Sequence, residues 1–189
     1  NGAQRKIDVY LDGPIDYPMS NRVGASQLVS IPLLAPDPIF YNPTQITPTY
    51  SLSVLPAQIP AILTAGYTWD EWPIFDVTGP VTNFDIVHAV YTQSVDRLTI
   101  SGTIPAGETW RYDLRPGYKS LRRLSDNANR MQYLTNSSIH GFATMRILSD
   151  KAAKAINPLA VSNRFVLDGT GSTGASTLKV WRYERYLSL

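Results

Sequence analysis

The chain has 189 residues, no cysteine, and 17 Lys and Arg against 15 Asp and Glu, for a net charge of +2. That length suits one domain, or one domain plus part of another, and buries roughly 70% of the unfolded surface without covalent staples. Disulfides, thiolate metal sites and cysteine nucleophiles are excluded, the charge balance argues against nucleic-acid or membrane-surface partners, and no apolar run approaches the roughly 18 residues of a membrane span.

Pro, Gly, Thr, Tyr and Val are frequent, which favours short strands and turns. Arg5–Leu11 reads as a strand, ended by Asp12-Gly13-Pro14. Gln27–Leu34 reads as a second, with Pro32 favouring an edge. Pro43, Pro48, Pro56 and Pro60 make the best linker, with a short strand expected over Thr49–Val54. The domain boundary is placed at residue 48. Trp72–Val77 and Asn83–His88 are further strands, separated by Thr78-Gly79-Pro80. Arg97–Ile104, with a bend at Gly102, and Glu108–Leu114 are expected to form a hairpin around Pro105-Ala106-Gly107. In the second arm Trp110, Tyr112 and Leu114 share one face, and Thr109, Arg111 and Asp113 the other.

Asp126–Leu134 is expected as a short helix capped by Asp126, Ile139–Leu148 as a strand, and Ser149–Ile156 as a helical turn capped by Ser149 or Asp150. Asn163–Asp168 and Thr177–Leu187 close the chain as strands, and Gly169–Ser176 joins them as a hairpin loop. The loop's Gly169-Thr170-Gly171-Ser172-Thr173-Gly174 lacks the Lys of a phosphate-binding loop. The fold class is therefore all-β, an antiparallel sandwich with one or two short helices.

Catalysis finds little support. His88 and His140 are the two histidines, and neither lies in a G-x-S-x-G elbow. Asp70, Glu71, Glu108 and Glu184 could serve a glycosidase only if two of them converged. No His or carboxylate spacing matches a metal motif, and no cofactor is expected. Two stretches suit binding. Trp69-Asp70-Glu71-Trp72 sets two aromatics beside two acids, a composition that can stack on sugars or anchor a protein, and that equally suits packing. Trp181, Tyr183 and Arg185 lie together on one face of the last strand, in a composition typical of interfaces or of cross-strand pairing. The expected partner surface is Trp69, Asp70, Trp72, Trp181, Tyr183 and Arg185.

Several segments resemble, in order, the distal tail protein of long-tailed phages with flexible, non-contractile tails. Leu33-Leu34-Ala35-Pro36-Asp37-Pro38-Ile39-Phe40-Tyr41 resembles the end of that family's N-terminal belt domain. Pro73–Pro80 and Ile104–Asp113 are similar to an early strand with a G-P turn and to a G-E-x hairpin. Ser162-Asn163-Arg164-Phe165 and Val180–Tyr186 resemble the last two strands. The resemblance implies a galectin-like, jelly-roll type sandwich over residues 49–189, preceded over 1–48 by the end of a truncated ring-forming belt domain and a linker. The chain opens on Asn1 rather than Met, which fits sequence missing upstream.

The implied function is a virion structural protein, a baseplate hub in a hexameric ring that joins the tail tube protein to tail-tip or receptor-binding proteins. Its location would be the phage tail tip, after assembly in the cytoplasm of the bacterial host; a prophage origin is equally compatible. Lectin activity is not carried over, because H-x-N-P-R is absent and Trp181-Arg182-Tyr183-Glu184-Arg185 departs from the galectin W-x-x-E-x-R spacing. Two alternatives rest on residues alone: a carbohydrate-binding module for host-surface glycans built on Trp69 and Trp72, and a cell-wall hydrolase using Glu108 or Asp70.

Overall fold

The computed structural model describes residues 6–15, 31–35, 40–42, 44–59, 70–159 and 163–186. The strands run in the order β1 (Tyr10–Leu11), β2 (Leu33–Leu34), β3 (Phe40–Tyr41), β4 (Thr49–Ser51), β5 (Ala57–Ile59), β6 (Ile74–Thr78), β7 (Val81–Val90), β8 (Gln93–Thr99), β9 (Thr103–Ile104), β10 (Thr109–Asp113) and β11 (Ser120–Arg123). Helices α1 (Ile139–Thr144) and α2 (Asp150–Ile156) follow, then β12 (Asn163–Thr170), β13 (Thr177–Trp181) and β14 (Arg185–Tyr186). The fold is all-β: two five-stranded antiparallel sheets packed face to face. One has the order β11-β10-β6-β13-β4; the other runs β5-β12-β7-β8, with β9 also on β7. Each sheet turns one face inward, so its strands alternate between core and surface.

Phe75, Val77, Trp110, Tyr112, Leu121, Leu178 and Val180 come from the first sheet. They meet Phe84, Ile86, Leu98, Ile104, Phe165 and Leu167 of the second. Phe75 and Phe165 interlock across the layers edge to face, with ring centroids 5.3 Å apart. A buried side chain of this size contributes about 1.5–3 kcal/mol by leaving water, so these residues outweigh any surface pairing.

Gly102 lies at φ +126°, a backbone conformation that glycine adopts without penalty, and bends the chain as expected. The bend divides the expected Arg97–Ile104 strand into β8 and β9. The expected hairpin does not form. β9 pairs with β7, whereas β10 pairs with β6 and β11, so Pro105–Gly107 carries the chain from one sheet to the other. Gly169–Ser176 likewise joins β12 to β13 across the sandwich. In both cases the apolar faces of consecutive strands look at each other through the core. Alternation reports which face is inward but not which strand is hydrogen-bonded.

The expected strand Ile139–Leu148 is instead helix α1, with Ile147 beyond it in a single bridge to Glu71. Phe142 and Met145 are three residues apart and both buried, a spacing that one face of a helical turn satisfies and the two-residue alternation of a strand does not. Gly141 permits the contact: a Cβ there would lie 2.1 Å from the Arg97 carbonyl oxygen of β8. The expected helix Asp126–Leu134 is reduced to a 3-10 turn over Met131–Tyr133. Its Asp126 and Asn129 side chains accept from the Ala128 and Met131 amides, which competes with helix formation. α2 forms as expected, with the Ser149 hydroxyl accepting from the Ala152 amide and Asp150 in its first turn.

The two final strands are intercalated. β12 lies between β5 and β7, and β13 between β4 and β6. Past β13 the chain continues beside the segment before β4: Ile46 bridges Arg182, and β14 pairs with β3. Tyr41 also bridges Lys6.

Candidate partner-binding surfaces

The six residues expected to form one surface do not share one. Trp69 lies outside the described residues. Asp70 accepts from Arg146 Nε and from the Ser149 amide, each at 2.7 Å, and so pins the chain ahead of β6 to the segment between the helices. Glu71 turns inward, where its carboxylate lies 3.6 Å from the Arg182 guanidinium, with both side chains almost sealed. Burial pushes the Glu71 carboxyl up to about 8, against the opposing pull of Arg182 and a hydrogen bond from the Tyr183 amide.

Trp72, Tyr183 and Arg185 do meet at this junction. The Arg185 guanidinium stacks over the Trp72 ring at 5.1 Å. The Tyr183 ring meets Tyr41 edge to face at 5.6 Å. Tyr41 Oη donates to Asp8 at 2.7 Å, and Asn42 Nδ2 donates to Glu184 at 3.2 Å. The junction therefore knits the chain around β3 to the chain around β14 through aromatic and polar contacts.

Trp181 belongs to a different surface. Leu178 and Val180 enter the core, so Lys179 and Trp181 face outward from β13. Across the sheet, Asp76 on β6 stands opposite Arg111 on β10 and Lys179 on β13. Asp76 accepts both Arg111 Nε and Nη2 at 2.7 Å, and Trp181 Nε1 at 2.6 Å. The Arg111 proton is held more tightly than usual, first by that hydrogen bond. Lys179 Nζ sits 3.7 Å from the centre of the Trp181 ring, a cation–π contact. Asp113 in turn takes two hydrogen bonds from the Arg115 guanidinium and one from its amide, and that guanidinium also covers the ring of exposed Tyr118 at 5.0 Å. Asp76, Arg111, Arg115 and Lys179 were not singled out from the sequence. The alternation over β10 placed Arg111 outward, but the register that sets it beside Asp76 has no local signal.

His88 is fully buried and stacks on Phe165. The Asn163 amide is oriented by donating to the Leu148 carbonyl and accepting from the Leu148 amide. Its Oδ1 therefore faces His88 Nε2 at 2.7 Å and accepts from it. Burial holds the His88 pKa below its ordinary value. His140 is exposed, beside a shallow depression lined by Val87, Asp96 and Arg97. No group of three His, Asp or Glu among the described residues could hold a metal ion. No described helix is long and apolar enough to cross a membrane.

No family model matches the chain, and no curated protein matches it by sequence. Among solved structures it is similar to the crystal structure of the SPP1 Dit (gp 19.1) protein, described as a paradigm of the hub adsorption apparatus in Gram-positive infecting phages. The TM-score is 0.63 at 13% sequence identity, over 97% of this chain and 61% of that one. At that identity the likeness is one of fold, and this chain spans less than two thirds of the length of the one it matches.

Proposed function

We propose that this chain is a structural component of a phage or prophage tail, a hub that joins the tail tube to tip or baseplate proteins. The observation that carries the reading is the fold likeness along nearly the whole chain to a protein described as part of a hub adsorption apparatus. The ordered motifs of the sequence point the same way. In this reading residues 49–189 form the docking sandwich, galectin-like in type, and 1–48 the end of a ring domain with its linker. The protein works by binding, at the virion tail tip, and catalyses no reaction. The proposed partner contacts are Trp72, Tyr183 and Arg185 on one surface and Trp181 on another, with Asp70 bonded to Arg146 and Ser149 beside the first; Trp69 completes the proposed set from outside the described residues.

The test is assembly. The protein expressed with whatever residues precede Asn1 in its gene is examined by light scattering and by class averages of single particles. Six-fold rings support the hub; a strict monomer over a wide concentration range overturns it.

A further inference from the structure

The outward face of the β11-β10-β6-β13-β4 sheet carries a row of four charged residues running across the strands. In register they are Arg122 on β11, Arg111 on β10, Asp76 on β6 and Lys179 on β13. Neighbouring strands are about 4.8 Å apart, so the row spans roughly 15 Å. Its inner acid is saturated by Arg111 and Trp181. Arg122 and Lys179 have no carboxylate partner among the described residues. Arg111 and Arg122 stand directly opposite each other, a like-charge pairing that costs a sheet stability. Trp181 is half-buried at the end of the row, its indole held by Asp76 and its ring by Lys179. Asp76, Arg111 and Trp181 are thus held together before anything binds, in a row with excess positive charge and an aromatic anchor beside Arg, the composition of interface centres.

We propose that this sheet face docks an acidic segment of a protein partner, laid across the row so that its carboxylates neutralise Arg122 and Lys179 beside Trp181. The charge selects the occupant, because a neutral or basic segment would leave Arg122 and Lys179 without a countercharge. The proposal deepens the docking reading above and rests on it for the existence of a partner.

The probe is a short poly-L-glutamate peptide, titrated at low salt into the isotopically labelled chain and followed by NMR. The Trp181 indole and Arg111 Nε signals are expected to move, and added salt to weaken the binding. Reversing both cations, with Arg122→Glu and Lys179→Glu, is expected to weaken it about tenfold without lowering the melting temperature. Arg122→Gln with Lys179→Gln serves if the reversed protein does not fold. Peptide binding that survives either double variant overturns the proposal, as does a shift map on another face. Equal or tighter binding of polyglycerol phosphate at these residues also overturns it, since the occupant would then be an anionic polymer. Six-fold rings without peptide binding leave the hub and sink this face; a monomer that binds the peptide does the reverse.

Discussion

Glu71 meets Arg182 at 3.6 Å in a site where 6% of one side chain and 9% of the other remain exposed. The pair joins the chain entering β6 to the chain leaving β13, so its protonation bears on how the two ends of the domain are held. Burial favours the neutral acid, and the Glu71 carboxyl rises from the ordinary 4.5 to about 8. Between those values the folded protein holds a proton that the unfolded chain has released. The contribution of this group is therefore fully present below the unfolded value and is lost as pH rises through about 8. Glu71→Gln removes the titration. Denaturation midpoints at mildly acidic and mildly alkaline pH should show the variant gaining on the parent as pH rises. A constant difference would mean that Glu71 stays ionised throughout.

Tyr112 is fully buried, and its hydroxyl has no hydrogen-bond partner among the described residues. An unpaired buried hydroxyl costs about 1–3 kcal/mol of desolvation. Tyr112→Phe is thus expected to leave stability unchanged or raise it by about 1 kcal/mol, read as an increase in melting temperature. A clear loss would reveal a partner for that oxygen.

Asn163 serves three groups at once: His88 Nε2 and both backbone groups of Leu148. Asn163→Ala strands all three in the interior and should cost about 3 kcal/mol or more. Asn163→Asp supplies a carboxylate instead, which favours the charged imidazole. The His88 titration, followed by NMR, should move upward in that variant.

Gly141→Ala brings a methyl group against the Arg97 carbonyl at a separation that no packed Cβ tolerates. Either α1 lifts from β8 or the strand yields. Overpacking of this kind costs about 1–3 kcal/mol. Urea unfolding should show a lower midpoint with an unchanged slope, as for a local loss of fit.

Much of the architecture could be read from local chemistry. The alternation over Glu108–Leu114 assigned both faces of β10, and Ser149-Asp150 marked the start of α2, with Ser149 as the cap that forms. Register and partnership could not be read. Pro105-Ala106-Gly107 has the composition of a hairpin turn, but the burial of Ile104 and Trp110 on opposite walls of one core decides that it crosses between sheets. α1 was hidden because its six residues, with Gly141 among them, are too short a run to show a helical period. At the candidate surfaces, Trp72 and Arg185 were singled out and stack on each other, and Tyr183 packs on Tyr41, whereas the place of Asp76 depends on a pairing with β10, distant in sequence.

The intercalation of β12 and β13 has a consequence for how the protein is made. The contact between His88 and Asn163 joins residues 75 apart in the chain, and β4 and β5 rest on strands synthesised last. Until those strands leave the ribosome, each sheet lacks an inner strand and β4 and β5 have nothing to pair with. Completing the sandwich awaits nearly the whole chain and a long loop closure, which places folding toward the slow end for domains of this size. A nascent chain halted before Asn163 is correspondingly expected to hold β4 and β5 unpaired beside incomplete sheets, and so to need chaperone protection.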